Sequence, residues 1–468
     1  MRPRPIWLVV VAAALPMFMA TLDNLVVTSA LPVIRTELGA SLETLQWVVN
    51  AYTLAFATLL LTASGLGDRL GRRRLFVGGI AVFTLASAAA ALSTDATALI
   101  IARAVQGIGA AAIMPLSLTL LAAAVPPARR ALAIGIWGGV AGLGVAVGPL
   151  VGGAVVEGLA WEWIFWLNVP VGIVAIPLAL TVLRESRGPD RVLDPLGLLL
   201  AATGVLAVVF SVVRADAEGW GSVPTIAGLV AGAALLVGFL AWQRRAAAPL
   251  LPLRLFRSRG FSAANGAAVA FSFGMFGAVF LLAQFLQVVQ GLSPFDAGLR
   301  TMPWTLAPMI VAPLAGMLEG RLGTRPLVVT GLALQAGALA WLAAVTTVDV
   351  GYGSLVPPFL LAGIGMGLTF APVATAVLAS VPEADHGKAS GANSTLREIG
   401  IALGVAVMTA VFSANGGYTS GESFVAGLTP AVALGAVVLA VGAGAALFLP
   451  GRTRTPAPAA ADAEPALV

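Results

Sequence analysis

Fourteen apolar segments, each long enough to cross a lipid bilayer as an α-helix, most constrain the fold of this chain. About 20 apolar residues span the hydrocarbon core as a helix. Only 10% of the residues are charged, whereas soluble domains carry about 25%. The segments cover 6–31, 45–66, 75–92, 97–122, 131–156, 163–183, 195–213, 223–242, 261–288, 297–318, 326–347, 354–380, 389–413 and 428–449. The sequence therefore predicts an all-α integral membrane protein whose first segment is a retained helix.

Basic residues are concentrated in alternate connecting segments. With a cytoplasmic N-terminus, 21 of the 26 lysine and arginine residues lie in cytoplasmic segments, three in outer loops and two within helices. Arginine-rich and lysine-rich loops stay on the cytoplasmic side of a membrane. We therefore expect both termini in the cytoplasm. The net charge of +5 follows from this topology, and we expect no nucleic-acid partner.

A short charged loop occurs twice and divides the chain into related halves. Ser64–Arg74 contains leucine, arginine and glycine positions that recur in Gly316–Arg325. A shift of 256 residues likewise aligns Gly107-Ile108-Gly109 with Gly363-Ile364-Gly365. Paired halves are typical of transporters with a central site. We predict a six-helix bundle over 1–187, two inserted helices and a cytoplasmic linker over 188–260, a second six-helix bundle over 261–450, and a disordered cytoplasmic tail over 451–468.

The side-chain inventory excludes several kinds of chemistry. The chain has no cysteine, so it can form neither disulfides nor thiolate metal sites, and His386 is its only histidine. No phosphate-binding loop of the Gly-x-x-x-x-Gly-Lys-Ser/Thr type is present, which argues against a self-contained ATP-driven pump. We expect no metal, no cofactor and no enzymatic activity.

Four further stretches are Leu22–Pro32, Ser64–Arg73, Arg103–Gly107 and Gly144–Gly153. They resemble motifs of the major facilitator superfamily, and more closely those of its fourteen-span drug:proton antiporter branch. Trp161–Phe165 followed by Asn168-Val169-Pro170 is also typical of that branch. The resemblance implies the major facilitator fold, with two six-helix bundles plus two inserted helices. In the second copy of the loop, Gly320 stands at the acidic position, so that copy lacks the negative charge that Asp68 provides in the first.

Asp23 and Glu398 are the two acidic residues placed within apolar segments, and we interpret them with Arg103 as the proton-coupling residues. An unpaired charge in a membrane is costly, so it faces a cavity or a partner. Asp23 and Arg103 lie at similar depths, which permits an ion pair. The alternatives are a structural ion pair for Asp23, a snorkelling side chain for Arg103, and a polar cluster of Glu398 with adjacent Arg397.

The resemblance implies a gating loop and a tightly packed antiporter motif. Asp68 is expected beside the N-terminus of the thirteenth helix, whose dipole is positive there. The gating-loop candidates are Asp68, Arg69, Gly71, Arg72 and Arg73. The antiporter-motif candidates are Gly144, Gly148, Pro149, Gly152 and Gly153. The alternatives are a loop that only sets topology and glycines that serve ordinary helix packing.

Polar residues at helical spacing and several tryptophans are candidates for a substrate cavity. The candidates are Asn24, Gln46, Trp47, Asn50, Gln106, Gln284, Gln287, Trp304, Asn393 and Arg397. Trp137 is a further candidate for an aromatic wall, and Ser390 and Ser394 extend the polar stripe of the thirteenth segment. Polar stripes can equally join helices to one another, and a lone tryptophan is more often an interface anchor.

These features together predict a proton-coupled antiporter that exports hydrophobic small molecules, cations included, from a bacterial cytoplasm by alternating access. We expect a monomer in the plasma membrane whose partners are the substrate, protons and lipid. The alternatives are a facilitator-type importer or metabolite exporter on the same fold, and a membrane sensor that does not transport.

Overall fold

The computed structural model describes residues 5–188, 192, 194–219 and 221–451, and within them fourteen long helices cover most of the chain. The predicted tail beyond 451 lies outside the described residues. The helices are α1 (Ile6–Glu37), α2 (Leu42–Leu70), α3 (Arg72–Ala91), α4 (Ala96–Ala124), α5 (Pro127–Gly158), α6 (Asn168–Val182), α7 (Pro195–Glu218), α8 (Val223–Gln243), α9 (Arg259–Gln284), α10 (Pro294–Leu322), α11 (Thr324–Val345), α12 (Tyr352–Ala379), α13 (His386–Asn415) and α14 (Gly421–Ala446).

Four short helical turns join these elements. A single turn, Trp163–Trp166, precedes α6, and a π-helical turn, Phe285–Val289, follows α9. The 3-10 turns Leu253–Arg257 and Glu383–Asp385 precede α9 and α13. Among the described residues, thirteen helical stretches are long and apolar enough to cross a membrane, and the 32-residue helix α5 is the fourteenth long helix. The predicted all-helical membrane fold is confirmed.

Serine and aspartate side chains fix where many helices begin. A capping side chain accepts a hydrogen bond from a backbone N–H of the first turn, which otherwise has no partner. Such caps start α2, α4, α7, α8, α9, α10 and α14, and the capping residues are Ser41, Asp95, Asp194, Ser222, Ser258, Ser293 and Ser420. These caps therefore define where the seven helices begin.

Helices α1–α6 form one bundle, the first half, and α9–α14 form another, the second half. Each has its own apolar core. The halves meet along two seams, where α5 packs on α10 and α2 packs on α13. A Cβ atom at Gly135 of α5 would lie 2.6 Å from the Ala312 carbonyl oxygen of α10. Glycine therefore lets the two backbones approach closely.

The inserted helices α7 and α8 form a hairpin beside the second seam. Helix α8 packs on α7, and α7 packs on both α2 and α13. An apolar cluster joins the three helices; it contains Leu54, Ala57, Val205, Val209, Val212, Ala402 and Ala406. The insertion thus covers the place where the two halves meet. We call the end of the molecule at which α1 begins and α14 ends the terminus end.

Asp194 joins the two inserted helices at the terminus end. Its carboxylate caps α7 at the Gly197 N–H (2.9 Å) and accepts hydrogen bonds from Trp242 Nε1 and Gln243 Nε2 of α8, both at 2.8 Å. Gln243 in turn accepts from the Leu251 N–H in the linker. Burial raises the pKa of the Asp194 carboxyl group, but these hydrogen bonds outweigh it and hold the pKa below the ordinary value.

We expect Asp194→Asn to lower the midpoint of thermal unfolding of the purified protein at pH 7. The asparagine amide would turn a donor towards one of three buried donors, and an unsatisfied buried group costs about 1–3 kcal/mol. The pKa of Asp194 is lower in the folded state than in the unfolded state, so the ionised carboxylate stabilises the folded protein at neutral pH. This contribution to stability is lost as the pH falls through the depressed pKa.

Asp95→Asn is the matched control. Asp95 caps α4 with one hydrogen bond, to the Ala98 N–H, and is exposed; asparagine caps a helix equally well. Equal midpoints for the two variants would contradict the joining role of Asp194.

Candidate functional site

Asp23 of α1 and Arg103 of α4 form a buried ion pair inside the first half. Arg103 Nη1 lies 2.5 Å from Asp23 Oδ2, and neither side chain is more than 1% exposed. The other carboxylate oxygen accepts hydrogen bonds from Gln106 Nε2 (2.9 Å) and Asn168 Nδ2 (2.6 Å). The contact that similar depths permitted is therefore present, and it leaves neither charge unpaired in the membrane interior.

Neutral polar groups and an aromatic ring complete the surroundings of this pair. Ser87 Oγ accepts from both Gln106 and Asn168 and donates to the Phe165 carbonyl oxygen. The Arg103 guanidinium lies 4.4 Å from the centre of the Tyr52 ring, a favourable cation–π geometry. All these residues belong to α2, α3, α4 or the region around α6, so the network lies within one half.

Asp68 lies against the first turn of α13, as the helix dipole predicts. Gly387 leaves no space for a side chain between its backbone and the Asp68 carboxylate. Asp68 Oδ1 accepts from Arg72 Nε at 2.7 Å, and both residues are buried. The positive N-terminus of α13 and the arginine therefore share one carboxylate, which joins the first half to the second.

Further contacts close the seam between the halves at the terminus end. The Ser64 hydroxyl donates to the Gly387 carbonyl oxygen, and Arg72 Nη2 donates to that of Ala384 at 3.2 Å. The Ser390 hydroxyl of α13 donates to the Pro115 carbonyl oxygen of α4 at 2.9 Å. The structure thus represents a state in which the halves are joined at this end.

The remaining loop residues contact other parts of the molecule. Arg69 donates to carbonyl oxygens on either side of the insertion, those of Val192 and Ala248. Arg73 donates to the Leu180 and Leu183 carbonyl oxygens at the end of α6, so it joins elements within the first half. Of the charged loop residues, Asp68 and Arg72 thus contact the second half, whereas Arg69 and Arg73 contact the regions beside the insertion and the end of α6.

Gly71 makes that reversal possible. Its φ of +116° lies in a region that residues with a side chain rarely adopt, and the Glu185 carboxylate lies against it. Gly323 of the second loop copy has a φ of +83°. Both copies therefore make the same kind of turn, as their shared sequence predicts.

The antiporter motif packs α5 against α1. A Cβ atom at Gly148 would lie 2.7 Å from the Leu25 Cβ, and Gly144 lies against Thr21. Gly153 contacts Phe295 of α10, and Gly152 is buried. The side chain of Pro149 lies outside the described residues. The backbone of α5 thus lies close to α1 at Gly144 and Gly148 and to α10 at Gly153, so α5 contacts both halves.

A central cavity lies between the halves, bounded by α4, α5, α9, α12 and α13. Its lining residues are Met114, Leu118, Trp137, Ala268, Phe271, Thr369, Phe370, Val373, Ala374, Asn393, Ser394 and Arg397. The Trp137 and Phe370 rings stack across the boundary between the halves, with centroids 5.9 Å apart. The predicted polar stripe of α13 faces this cavity through Asn393, Ser394 and Arg397.

The other eight predicted cavity residues do not line this cavity. Gln106 belongs to the Asp23 network, Trp47 packs on Phe210 of α7, and Trp304 packs on Phe359 inside the second half. Asn24 and Asn50 are half-buried, and Gln46 is exposed.

Gln284 and Gln287 were predicted to share a face of α9. Helix α9 ends at Gln284, and the π-helical turn that follows changes the register and leaves Gln287 exposed. Gln284 instead accepts a hydrogen bond from the Tyr418 hydroxyl, close to α14.

Several residues of the site were missed. Asn168 could have been suspected from the sequence, because it is a polar residue that follows the tryptophan-rich stretch. Its contact with Asp23 could not be predicted, because it depends on the helical turn Trp163–Trp166. Ser87 and Phe370 carry no signal beyond a small polar residue and an aromatic residue in apolar helices. Glu398, predicted to couple protons, is half-buried on α13 and is not part of the Asp23 network.

The chain matches known families along nearly its whole length. The family model described as Major Facilitator Superfamily matches residues 13–405. The chain is 35% identical, over 87% of its length and 76% of the relative's, to the tetracenomycin C resistance and export protein of Streptomyces glaucescens. It is 35% identical to the multidrug efflux pump LfrA of Mycolicibacterium smegmatis, over 97% and 90% of the two chains.

Solved structures agree with this relationship. The proton:xylose symporter XylE superposes with a TM-score of 0.65 at 15% identity, covering 95% of this chain and 96% of that one. This likeness concerns the fold alone. With two six-helix halves, two inserted helices and the family match from residue 13 to residue 405, the chain belongs to the major facilitator superfamily of membrane transporters.

Proposed function

We propose that this protein exports hydrophobic, aromatic small molecules from a bacterial cytoplasm in exchange for protons. The buried Asp23–Arg103 pair carries the proposal, because a charge inside a membrane helix is rarely kept without a function. Relatives that are multidrug and antibiotic export proteins support it. One chain contains the pair, the cavity and the closing contacts, so we propose that the monomer is the functional unit.

In this mechanism, proton binding and substrate binding occur at separate places. Asp23 is 2% exposed and lies within the first half, whereas the aromatic cavity lies between the halves. A proton that binds Asp23 weakens its attraction for Arg103. The first half then changes its packing on the second, and the cavity becomes accessible from the other side of the membrane. Such rocking of paired halves about a fixed site is how many transporters alternate access.

Contacts of the terminus end determine which side of the cavity is closed. Asp68, Arg72 and Ser64 join the halves there, and we propose that this end is cytoplasmic. The basic residues of its loops support that orientation. The state with these contacts formed is then the one in which substrate leaves outward, and breaking them admits substrate from the cytoplasm.

Cysteine labelling tests the orientation, since the chain has no cysteine of its own. We expect Glu218→Cys, between α7 and α8, to react with a membrane-impermeant maleimide in intact cells. Arg74→Cys, whose position is 69% exposed at the terminus end, should react only after permeabilisation. The reverse pattern would overturn the orientation.

We expect Asp68→Asn to leave expression nearly unchanged and to reduce transport. Removing this charge leaves Arg72 buried with less compensation, and breaking one partner of a buried pair costs about 3–5 kcal/mol. The terminus end should therefore open more often. The measurements are the transport rate and the maleimide reaction of Ser390→Cys, a position buried at the seam.

Glu185→Gln is the matched control, because Glu185 accepts backbone hydrogen bonds from Arg73 and Arg74 within the first half only. If Asp68→Asn transports substrate and is labelled like the wild type, the proposed closing role is wrong and the loop only sets the membrane topology.

Asp23→Asn should abolish uphill export driven by a pH gradient while downhill substrate movement continues. Asparagine keeps the shape of the side chain but cannot carry the proton. The double variant Asp23→Asn/Arg103→Gln leaves no unpaired charge and separates loss of coupling from loss of folding. The measurement is proton-coupled transport in vesicles containing the purified protein.

Glu37→Gln on the same helix is the control and should couple like the wild type. Glu37 is exposed and accepts only from Trp161 Nε1 among its described contacts, a bond that glutamine can keep. If Asp23→Asn couples normally while Glu398→Gln does not, the proton site is Glu398 and not Asp23.

A further inference from the structure

Arg397 is the one charged residue among those that line the central cavity. Its guanidinium lies over the Phe370 ring, 4.3 Å from the ring centre. In the part of the chain that the structure describes, it has no carboxylate within ion-pair distance, and its buried Nε has no hydrogen-bond partner. Half-buried Arg397 therefore differs from the buried arginines of the described chain: Arg72 and Arg103 each have a carboxylate partner, and Arg69 donates to backbone carbonyl oxygens.

A buried N–H donor without an acceptor, such as Arg397 Nε, is expensive, because it has left water and found no replacement. Its planar donors fit an oxyanion, and its face stacks on aromatic rings. Asn393 and Ser394 lie one turn before it on the same helix and also line the cavity. Beside Arg397, the stacked Trp137 and Phe370 rings form an aromatic wall of the cavity.

We propose that Arg397 is a specificity-determining residue and that the cavity prefers flat aromatic compounds carrying an anionic group. The inference rests on the proposed export function and narrows its substrates. The ligand's oxyanion accepts hydrogen bonds from Arg397, and its ring system occupies the space between Trp137 and Phe370 when the halves separate. Hydrophobic cations are disfavoured because they meet a positive charge there.

No acidic residue lines the cavity beside Arg397, although Glu398 is close enough to interact with it electrostatically. Asp23 is engaged with Arg103, Gln106 and Asn168. Glu398 follows Arg397 directly, about 100° further round the helix, and is not among the lining residues. The lining therefore presents a positive group, neutral amides and hydroxyls, and aromatic rings.

Three probes with one ring system test the preference: anthraquinone sulfonate, the neutral anthraquinone sulfonamide and a trimethylammonio-anthraquinone. Binding to the purified protein is followed by quenching of tryptophan fluorescence. We expect the sulfonate to bind at least about tenfold more tightly than the sulfonamide, the size of one charge-assisted hydrogen bond, and the cation to bind most weakly. In Arg397→Gln the ratio of sulfonate to sulfonamide affinity should fall towards one.

Arg129→Gln is the control, since Arg129 is exposed at the start of α5 and should leave that ratio unchanged. Tighter binding of the cation by the wild type, equal binding of all three probes, or an unchanged ratio in Arg397→Gln would each overturn the inference. Gradient-driven movement of the same probes into vesicles tests export separately. Its absence, with the binding preference intact, would contradict the proposed function and not the role of Arg397.

Discussion

The cost of placing charge in a membrane interior determines how this structure is arranged. Arg103 is neutralised by Asp23 within the first half, and Arg72 shares Asp68 with the N-terminus of α13. The first pairing stabilises one bundle internally, whereas the second joins two bundles. Arg397 instead lies over an aromatic ring at the boundary between the halves. The different partners of the three arginines therefore distinguish the proposed proton site, the contact that joins the halves, and the cavity between them.

Much of the fold could be predicted from the sequence, because apolar segments of spanning length and alternating basic loops depend only on hydrophobicity and charge. The place of Asp68 followed from a short motif and a helix dipole. The cavity could not be predicted in the same way. Gln284 and Gln287 have helical spacing, but Gln287 lies in a π-helical turn that changes the register. Trp304 and Trp137 are both tryptophans in apolar segments, yet Trp304 packs inside the second half and does not line the cavity. Which side of a helix meets the opposite half depends on packing between distant segments.

The inserted helices participate in the closed terminus end as well as in the seam. Arg69 contacts backbone on both sides of the insertion, and Arg254 of the linker lies 2.9 Å from Asp385, just before α13. Asp194 joins α7 and α8 at the same end. Two halves that separate here must therefore change their contacts with the insertion as well as with each other.

The groups that hold Asp23 all belong to the first half, and this has a consequence for the order of events. A rigid rotation of one half against the other leaves the distances from Asp23 to Arg103, Gln106 and Asn168 unchanged. Rotation alone cannot exchange the carboxylate's partners. What rotation can change is the path by which water reaches the carboxylate. In the proposed mechanism, the side from which a proton arrives at Asp23 would therefore depend on which of the surrounding helices are hydrated.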